Sequence, residues 1–275
     1  MDSTTTQIIS ANPPPFQAQF LPRQLSIFKM FRALVLGLAT VGSVIAAPAS
    51  SSNLAHSVSV SQKHSRRDLT SRNWSGAIQE ASAGTWNYVQ GTVVIPTLND
   101  ASNPQGSADI WVGIDGNDCN TAILQTGIVA YGDGSFWVWT EWWQYNMQDY
   151  DTDLSVSGGD TVRMTVHATS RTSGTTTIEN LTTGKSVSHT FTSEAAYPLC
   201  ESDAEWIVED FSSNGQPVPL VDWGTIIFTD TVAKGTNGQV SAAGSEKINI
   251  KIGNEIITQT DIGSDGKVSV TYLRN

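Results

Sequence analysis

Two apolar, strand-like runs of this chain each set polar side chains beside a cysteine. One reads Trp-Val-Gly-Ile-Asp-Gly at 111–116, then Cys119, then Ala-Ile-Leu-Gln-Thr-Gly at 122–127; the other is Ala-Glu-Trp-Ile-Val-Glu-Asp-Phe at 204–211, shortly after Cys200. Two cysteines are an even number, and in a secreted chain that reads as a disulfide. A Cys119–Cys200 bridge brings Gln125 and a glutamate near each other across a long stretch of sequence. A carboxylate can take a proton from water, and an amide N–H can hold a developing oxyanion. The pair suits acid, where an amide keeps its donors and a histidine is already protonated. On the second run Glu205, Ile207 and Glu209 share one face and Trp206, Val208 and Asp210 the other, so alternation does not choose between Glu205 and Glu209. Asp115, next to Gly116, reads equally well as a turn residue.

Other chemistries find little to work with. Beyond residue 67 the only histidines are His167 and His189, both on the polar side of alternating runs. There is no Gly-x-Ser-x-Gly elbow and no Asp-Thr-Gly pair, so neither a serine triad nor a pepstatin-sensitive aspartic site is expected. Neither cysteine has a His or Cys at metal-ligand spacing, and no metal or cofactor is expected. Residues 1–67 hold six of the 15 basic side chains and one of the 26 acids; residues 68–275 therefore carry nine basic and 25 acidic groups, a formal charge of −16. Between Arg72 and Arg163 there is no Lys or Arg. Such a surface does not suit nucleic acid or anionic membranes, whose phosphates call for cations. Carboxylates that repel at neutral pH are neutralised in acid, so scarce cations point to a protein that works at low pH.

The elements that must position these groups are strands. Runs at 92–96, 108–114, 121–130, 136–145, 161–169, 175–180, 186–191, 204–210, 225–229, 248–252, 255–260 and 268–273 lie between Gly-, Asn- and Asp-containing turns. No window has a helical period. Many short alternating strands in about 200 residues predict one all-β domain, a sandwich of two antiparallel sheets of the concanavalin A-like or jelly-roll type. In 136–143 aromatics occupy both faces, so one aromatic row must leave the core. Most of the nine Trp are expected inside, the remainder lining a groove.

The N-terminal part reads differently. Residues 30–47 form a short basic start, an apolar run and small residues, the pattern of a secretory signal peptide. Residues 1–29 read as a non-native extension of the gene model ahead of Met30, and 48–67, ending in Arg66-Arg67, as a propeptide. The globular domain is then 68–275, expected to be secreted, without stable membrane insertion, and a monomer. Its cationic propeptide is a candidate inhibitor of an acidic cleft. Asn73-Trp74-Ser75 and Asn180-Leu181-Thr182 are glycosylation sequons, and Asn180, in a Gly- and Thr-rich turn, is the better candidate.

The runs at 111–116, 122–127 and 204–211, with Tyr-Gly-Asp-Gly at 131–134 and Glu-Asn-Leu-Thr-Thr-Gly at 179–184, resemble those of the fungal glutamic peptidases, the eqolisin family. The likeness begins at Asn73-Trp74-Ser75-Gly76 and covers nearly the whole of 68–275. It implies a two-sheet sandwich and an endopeptidase that cleaves polypeptides in acid. It places the catalytic glutamine on Gln125 and, of the two glutamates, the catalytic one on Glu209. It surrounds the dyad with Trp74, Trp111, Asp115 and Glu141, with Trp111 and Asp115 orienting Gln125, and it matches the Cys119–Cys200 disulfide. The implied mechanism has Glu209, with a near-normal pKa, activate water while Gln125 stabilises the oxyanion. Trp137 stands where relatives often carry an acid, a departure that leaves the dyad untouched. Two other readings keep the sandwich and the exposed Trp: a carbohydrate-binding module, and a glycoside hydrolase using Glu141 and Glu209. Neither needs Gln125.

Overall fold

The structure, a computed structural model, describes residues 68–213 and 216–273. The expectations for 1–29, 30–47 and 48–67 lie outside the described residues. Among those described there is no helix. In chain order the strands are β1 (Asp68–Ser71), β2 (Trp74–Glu80), β3 (Trp86–Val94), β4 (Ser107–Ile114), β5 (Ile123–Tyr131), β6 (Phe136–Trp143), β7 (Gln148–Asp149), β8 (Thr161–Ser170), β9 (Ser173–Asn180) and β10 (Lys185–Phe191). They continue with β11 (Asp203–Glu209), β12 (Ser212–Ser213), β13 (Gln216–Pro217), β14 (Thr225–Gly235), β15 (Gly238–Val240), β16 (Glu246–Ile252), β17 (Glu255–Ile256), β18 (Thr258–Ile262) and β19 (Val268–Tyr272).

One sheet runs β1-β16-β2-β11-β4-β5-β6-β7, with β17 on β16; the other runs β10-β9-β8-β3-β14-β19-β18, with β15 on β14. β12 and β13 pair only with each other. Every strand pairing is antiparallel except β1 on β16, which is parallel. The expected two-sheet sandwich is what forms. Its main core joins Val112, Leu124, Trp142, Trp206 and Val208 of the first sheet to Val89, Val162, Met164, Ile178 and Phe228 of the second. Burying each such side chain contributes about 1.5–3 kcal/mol.

The first sheet is also covered on its other face. There Ile78, Trp111, Val129, Trp139, Ile207, Phe211 and Ile248 form a second apolar cluster, with Trp74 and Trp137 partly buried against it. This explains the aromatic alternation of β6: Trp142 enters the main core and Trp139 the second cluster. Six of the nine Trp are buried, namely Trp86, Trp111, Trp139, Trp142, Trp206 and Trp223.

The short strands β1, β7, β12, β13 and β15 were not expected and β3 begins at Trp86, ahead of the expected run at 92–96; three further differences have a local cause. β2 was not expected, because Trp-Ser-Gly-Ala does not alternate. It is nevertheless a central strand between β16 and β11. Gly76 (φ 148°) makes this possible: a Cβ there would come within 2.0 Å of the Trp206 carbonyl oxygen, so the two backbones can approach only at glycine. β14 continues past Thr229 to Gly235 because a bulge shifts the register between Thr229 and Val232, with Asp230 at φ 48°. A bulge resets the alternation, so the pattern read as an end. The expected single strand 255–260 divides into β17 and β18, which pair with different strands.

Candidate active site

The second cluster's face carries the acids. Along β11, Asp203, Glu205, Ile207 and Glu209 alternate outward from the main core. Register then runs across the sheet in rows. Glu205 lies opposite Gly113 on β4, Gly113 opposite Gln125 on β5, and Gln125 opposite Glu141 on β6. Two rungs along, Glu209 lies opposite Asp109, Asp109 opposite Val129, and Val129 opposite Trp137. The rung between holds Ile207, Trp111, Gly127 and Trp139. Gln125, Glu141, Glu205, Glu209 and Asp109 therefore share one face of one sheet.

Trp111 separates Gln125 from Glu209. A Cβ at Gly113 would lie 2.9 Å from the six-membered ring of Trp111, so the indole lies over that glycine. The other end of the same indole donates Nε1–H to Glu209 Oε2 at 2.9 Å. Trp74 packs edge-on against Trp111, with ring centroids 5.0 Å apart. The second oxygen of Glu209, Oε1, accepts from Asn73 Nδ2 at 2.7 Å. Gln125 is buried and donates Nε2–H to Glu141 Oε2 at 2.5 Å. Gln125 Oε1 and Glu141 Oε1 have no hydrogen-bond partner in the protein. An amide nitrogen has two N–H groups, so one remains after the bond to Glu141.

Three carboxyls of this face feel one another. Burial pushes Glu209 up to about 7, while the side chains of Asn73, Trp111 and Trp74 pull it back. Burial pushes Glu141 up to about 8, opposed by the Gln125 hydrogen bond and reinforced by the charge of Glu209. Asp109 is raised well above the carboxylate range by burial and by the charge of Glu209, although it accepts Trp139 Nε1–H at 2.8 Å. None of the three ion pairs among the described residues (Arg163–Glu179, Lys247–Asp261, Lys267–Asp265) reaches these acids. The sequence reading expected a near-normal pKa for Glu209, and burial among other acids corrects it upward. Even so Glu209 is the least raised of these three and the only one not fully buried, so of the three it is the first to ionise.

Glu205, in register with Gln125, is different. It is fully buried, and burial followed by the charges of Asp203 and Asp115 raises it strongly, against a weaker opposing contact from the Asn117 backbone N–H. Solvent does not reach it, so it is ill-placed to act on water.

The remaining expected residues are placed as follows. Cys119 and Cys200 are bridged, with Cα atoms 5.9 Å apart. The bridge ties the loop after β4 to the segment entering β11. Asp115, at φ 71°, accepts the backbone N–H groups of Cys200 at 2.7 Å, Glu201 at 2.8 Å and Ser202 at 2.8 Å. Its hydrogen bonds thus fix the approach to β11, and those of Trp111 fix Glu209; the side-chain partner of Gln125 is Glu141. Asn180 corrects the glycosylation preference. It is fully buried, and its amide bonds the Ser155 carbonyl, Asp160 and the N–H groups of Thr182 and Thr183, so the fold leaves no outlet for a glycan. Sequence reasoning missed Asp109 and the contact of Asn73 with Glu209. Asp109 was legible in principle, two residues before Trp111 in a strand of period 2. Asn73 was not, because its partner is 136 residues away.

With this geometry in place, comparison with known proteins is informative. The profile of the Peptidase A4 family matches residues 72–272. The chain is 37% identical over 224 residues to aspergillopepsin-2 of Aspergillus niger, covering 74% of this chain and 78% of that protein. It is 37% identical over 219 residues to scytalidopepsin B of Scytalidium lignicola, covering 77% and 82%. Among solved structures, scytalido-glutamic peptidase with a peptide-based transition-state analog superposes with a TM-score of 0.67 at 37% identity, covering 73% of this chain and 98% of that one.

Proposed function

The chain belongs to the Peptidase A4 family of glutamic peptidases, and on that premise we propose that it is a secreted endopeptidase, acting on the acid side of neutrality, that cleaves polypeptides with Glu209 as base and Gln125 as oxyanion donor. The observation that carries the assignment is the state of Glu209: half-open, held by Asn73 and Trp111, and least raised of three coupled carboxyls. The family displaces the carbohydrate-active alternatives.

In the proposed reaction the scissile peptide lies over the Trp111 ring, between Gln125 and Glu209. Glu209 as carboxylate takes a proton from water as the water oxygen bonds to the peptide carbonyl carbon. The negative charge moves to the carbonyl oxygen, where the second N–H of Gln125 meets it. One such donor contributes about 3 kcal/mol to the transition state. The C–N bond then breaks, and Glu209 returns its proton to the leaving amine. Glu141 fixes the Gln125 amide so that its N–H groups, not its oxygen, face the reaction. Asp115 and the disulfide hold the start of β11, and through it Glu209.

The pH range has two sides. Glu209 must be ionised, and a group of pKa about 7 is ionised to roughly one part in a thousand at pH 4. Turnover in acid draws on that fraction and on whatever solvent at its open side adds. The upper limit is set by the other buried acids, which have no cations to offset their charge. We attribute an acid working range to that upper limit more than to the base. The test is hydrolysis of an unfolded protein substrate between pH 2 and 8, with Glu209→Gln alongside. Hydrolysis lost in Glu209→Gln, from a protein with unchanged melting, supports the assignment; hydrolysis retained refutes it. The proposed secretion leader, propeptide and its inhibitory role belong to residues 1–67 and rest on their sequence alone.

A further inference from the structure

We infer that Asn73 is a positioning residue for Glu209, held in place by Ser71, and that this pair sets the pH at which the base becomes available; the inference rests on the reading of Glu209 as the base. Nothing in the sequence singled out Asn73 for this, since its sequon suggested only a glycan.

The geometry forms a short relay. Ser71 closes the edge strand β1, which is laid parallel on β16, Ser71 pairing with Ile250. The Ser71 hydroxyl donates to Asn73 Oδ1 at 3.0 Å and accepts the backbone N–H groups of Asn73 at 3.2 Å and Trp74 at 3.2 Å. With its oxygen occupied, the Asn73 amide is oriented with Nδ2 outward, at 2.7 Å from Glu209 Oε1. The backbone is pinned as well: Asp210 N–H donates to the Asn73 carbonyl at 2.8 Å, and Glu209 pairs with Trp74 across β11 and β2. Asn73 is thereby fixed on both its side chain and its main chain to the segment that ends in Glu209.

The chemistry follows from the donor's direction. An N–H on a carboxylate favours the ionised form, and a charge-assisted bond is about twice as strong as a neutral one. Trp111 supplies a second donor on the other oxygen. Together they hold the carboxylate in one orientation with each oxygen assigned, so the lone pairs aimed at water are fixed. Other groups facing Glu209 are acids: Asp210 beside it, and Asp109 and Glu141 across the sheet, both raised by its charge. Asn73 and Trp111 thus work against acidic surroundings. The amide of Asn73 carries no charge and does not titrate, so it supplies its donor at every pH.

The closing experiment measures kcat/KM against pH on a fluorogenic peptide for the unaltered protein and for Asn73→Ala, Asn73→Asp, Ser71→Ala and Glu209→Gln. Asn73→Ala is expected to move the acid limb up by about one pH unit, equivalent to about 1.4 kcal/mol of lost preference for the carboxylate. Ser71→Ala should move it the same way by less, since the amide stays but turns more freely. Asn73→Asp is a donor only while protonated, so it should come closer to the unaltered protein at low pH and fall below Asn73→Ala as pH rises. A purely structural role would lower the profile at every pH without moving its limb. An unmoved acid limb in Asn73→Ala, beside an inactive Glu209→Gln, overturns this inference alone. An active Glu209→Gln overturns the base assignment and this inference together.

Discussion

Replacing Glu205 by Gln should stabilise the domain, and only as the pH rises. The side chain is fully buried, with no hydrogen bond from another side chain. Its pKa in the fold is raised well above 4.5, by burial first and then by Asp203 and Asp115. In the unfolded chain it ionises near its ordinary value, about 4.3. Above that pH the unfolded chain has released the proton and the fold still binds it, so stability falls with rising pH. The slope is about 1.36 kcal/mol per pH unit for as long as Glu205 stays protonated in the fold. Each pH unit over which the fold keeps that proton therefore removes about 1.4 kcal/mol of stability through one side chain. Glutamine is nearly the same shape and never ionises, so it removes the penalty. For a domain of this size each kcal/mol so regained raises Tm by about 2–4 °C. At pH 3.5 both side chains are neutral and the two proteins should melt within a few degrees. The assay is thermal melting at both pH values, in a Glu209→Gln background to prevent self-digestion. An equal gap at pH 3.5 and 6.5, or a variant that melts lower at pH 6.5, would refute the reasoning.

Further outcomes follow from the same geometry. Gln125→Ala should reduce kcat by about a hundredfold or more, because the oxyanion loses its donor, while Glu205→Gln keeps activity in acid; the reverse pattern would return the catalytic role to Glu205. Gly76→Ala should unfold or strongly destabilise the domain, since its Cβ would meet the Trp206 carbonyl oxygen at 2.0 Å; denaturant melting equal to the parent would contradict the close packing of β2 on β11. Reducing Cys119–Cys200 opens a loop of 81 residues, which should cost about 4 kcal/mol in the chain-entropy picture; a denaturation midpoint indifferent to reductant would count against it.

The fold was legible where alternation was regular. β8 and β9 alternate buried with less buried positions over most of their length, and both were anticipated. β2 was hidden because a central strand covered on both faces need not alternate, and because its key residue is a glycine chosen for what lies across from it. The bulge in β14 hid the second half of that strand for a related reason. At the site, Gln125 and Glu209 came from resemblance. The residue pattern alone left Glu205 and Glu209 equal, since both sit on one face of β11. Only three-dimensional burial distinguishes them, leaving one sealed and the other half-open. The raised pKa of Glu209 was likewise invisible, because it depends on how little solvent a carboxyl keeps once Trp74 and Trp111 have packed.

The second apolar cluster has a consequence for motion. β4 is buried at all eight of its positions, and β11 at every position before Glu209. Strands covered on both faces open only when the whole domain opens, so their amide hydrogens should exchange last, at the free energy of global unfolding. The proposed catalytic groups, Gln125 on β5 and Glu209 at the end of β11, are therefore mounted on or beside strands of this kind. On that reading the reactive groups keep their places from one substrate to the next. The polypeptide would then be the partner that extends and bends to meet them, which predicts faster cleavage of unfolded chains than of folded ones.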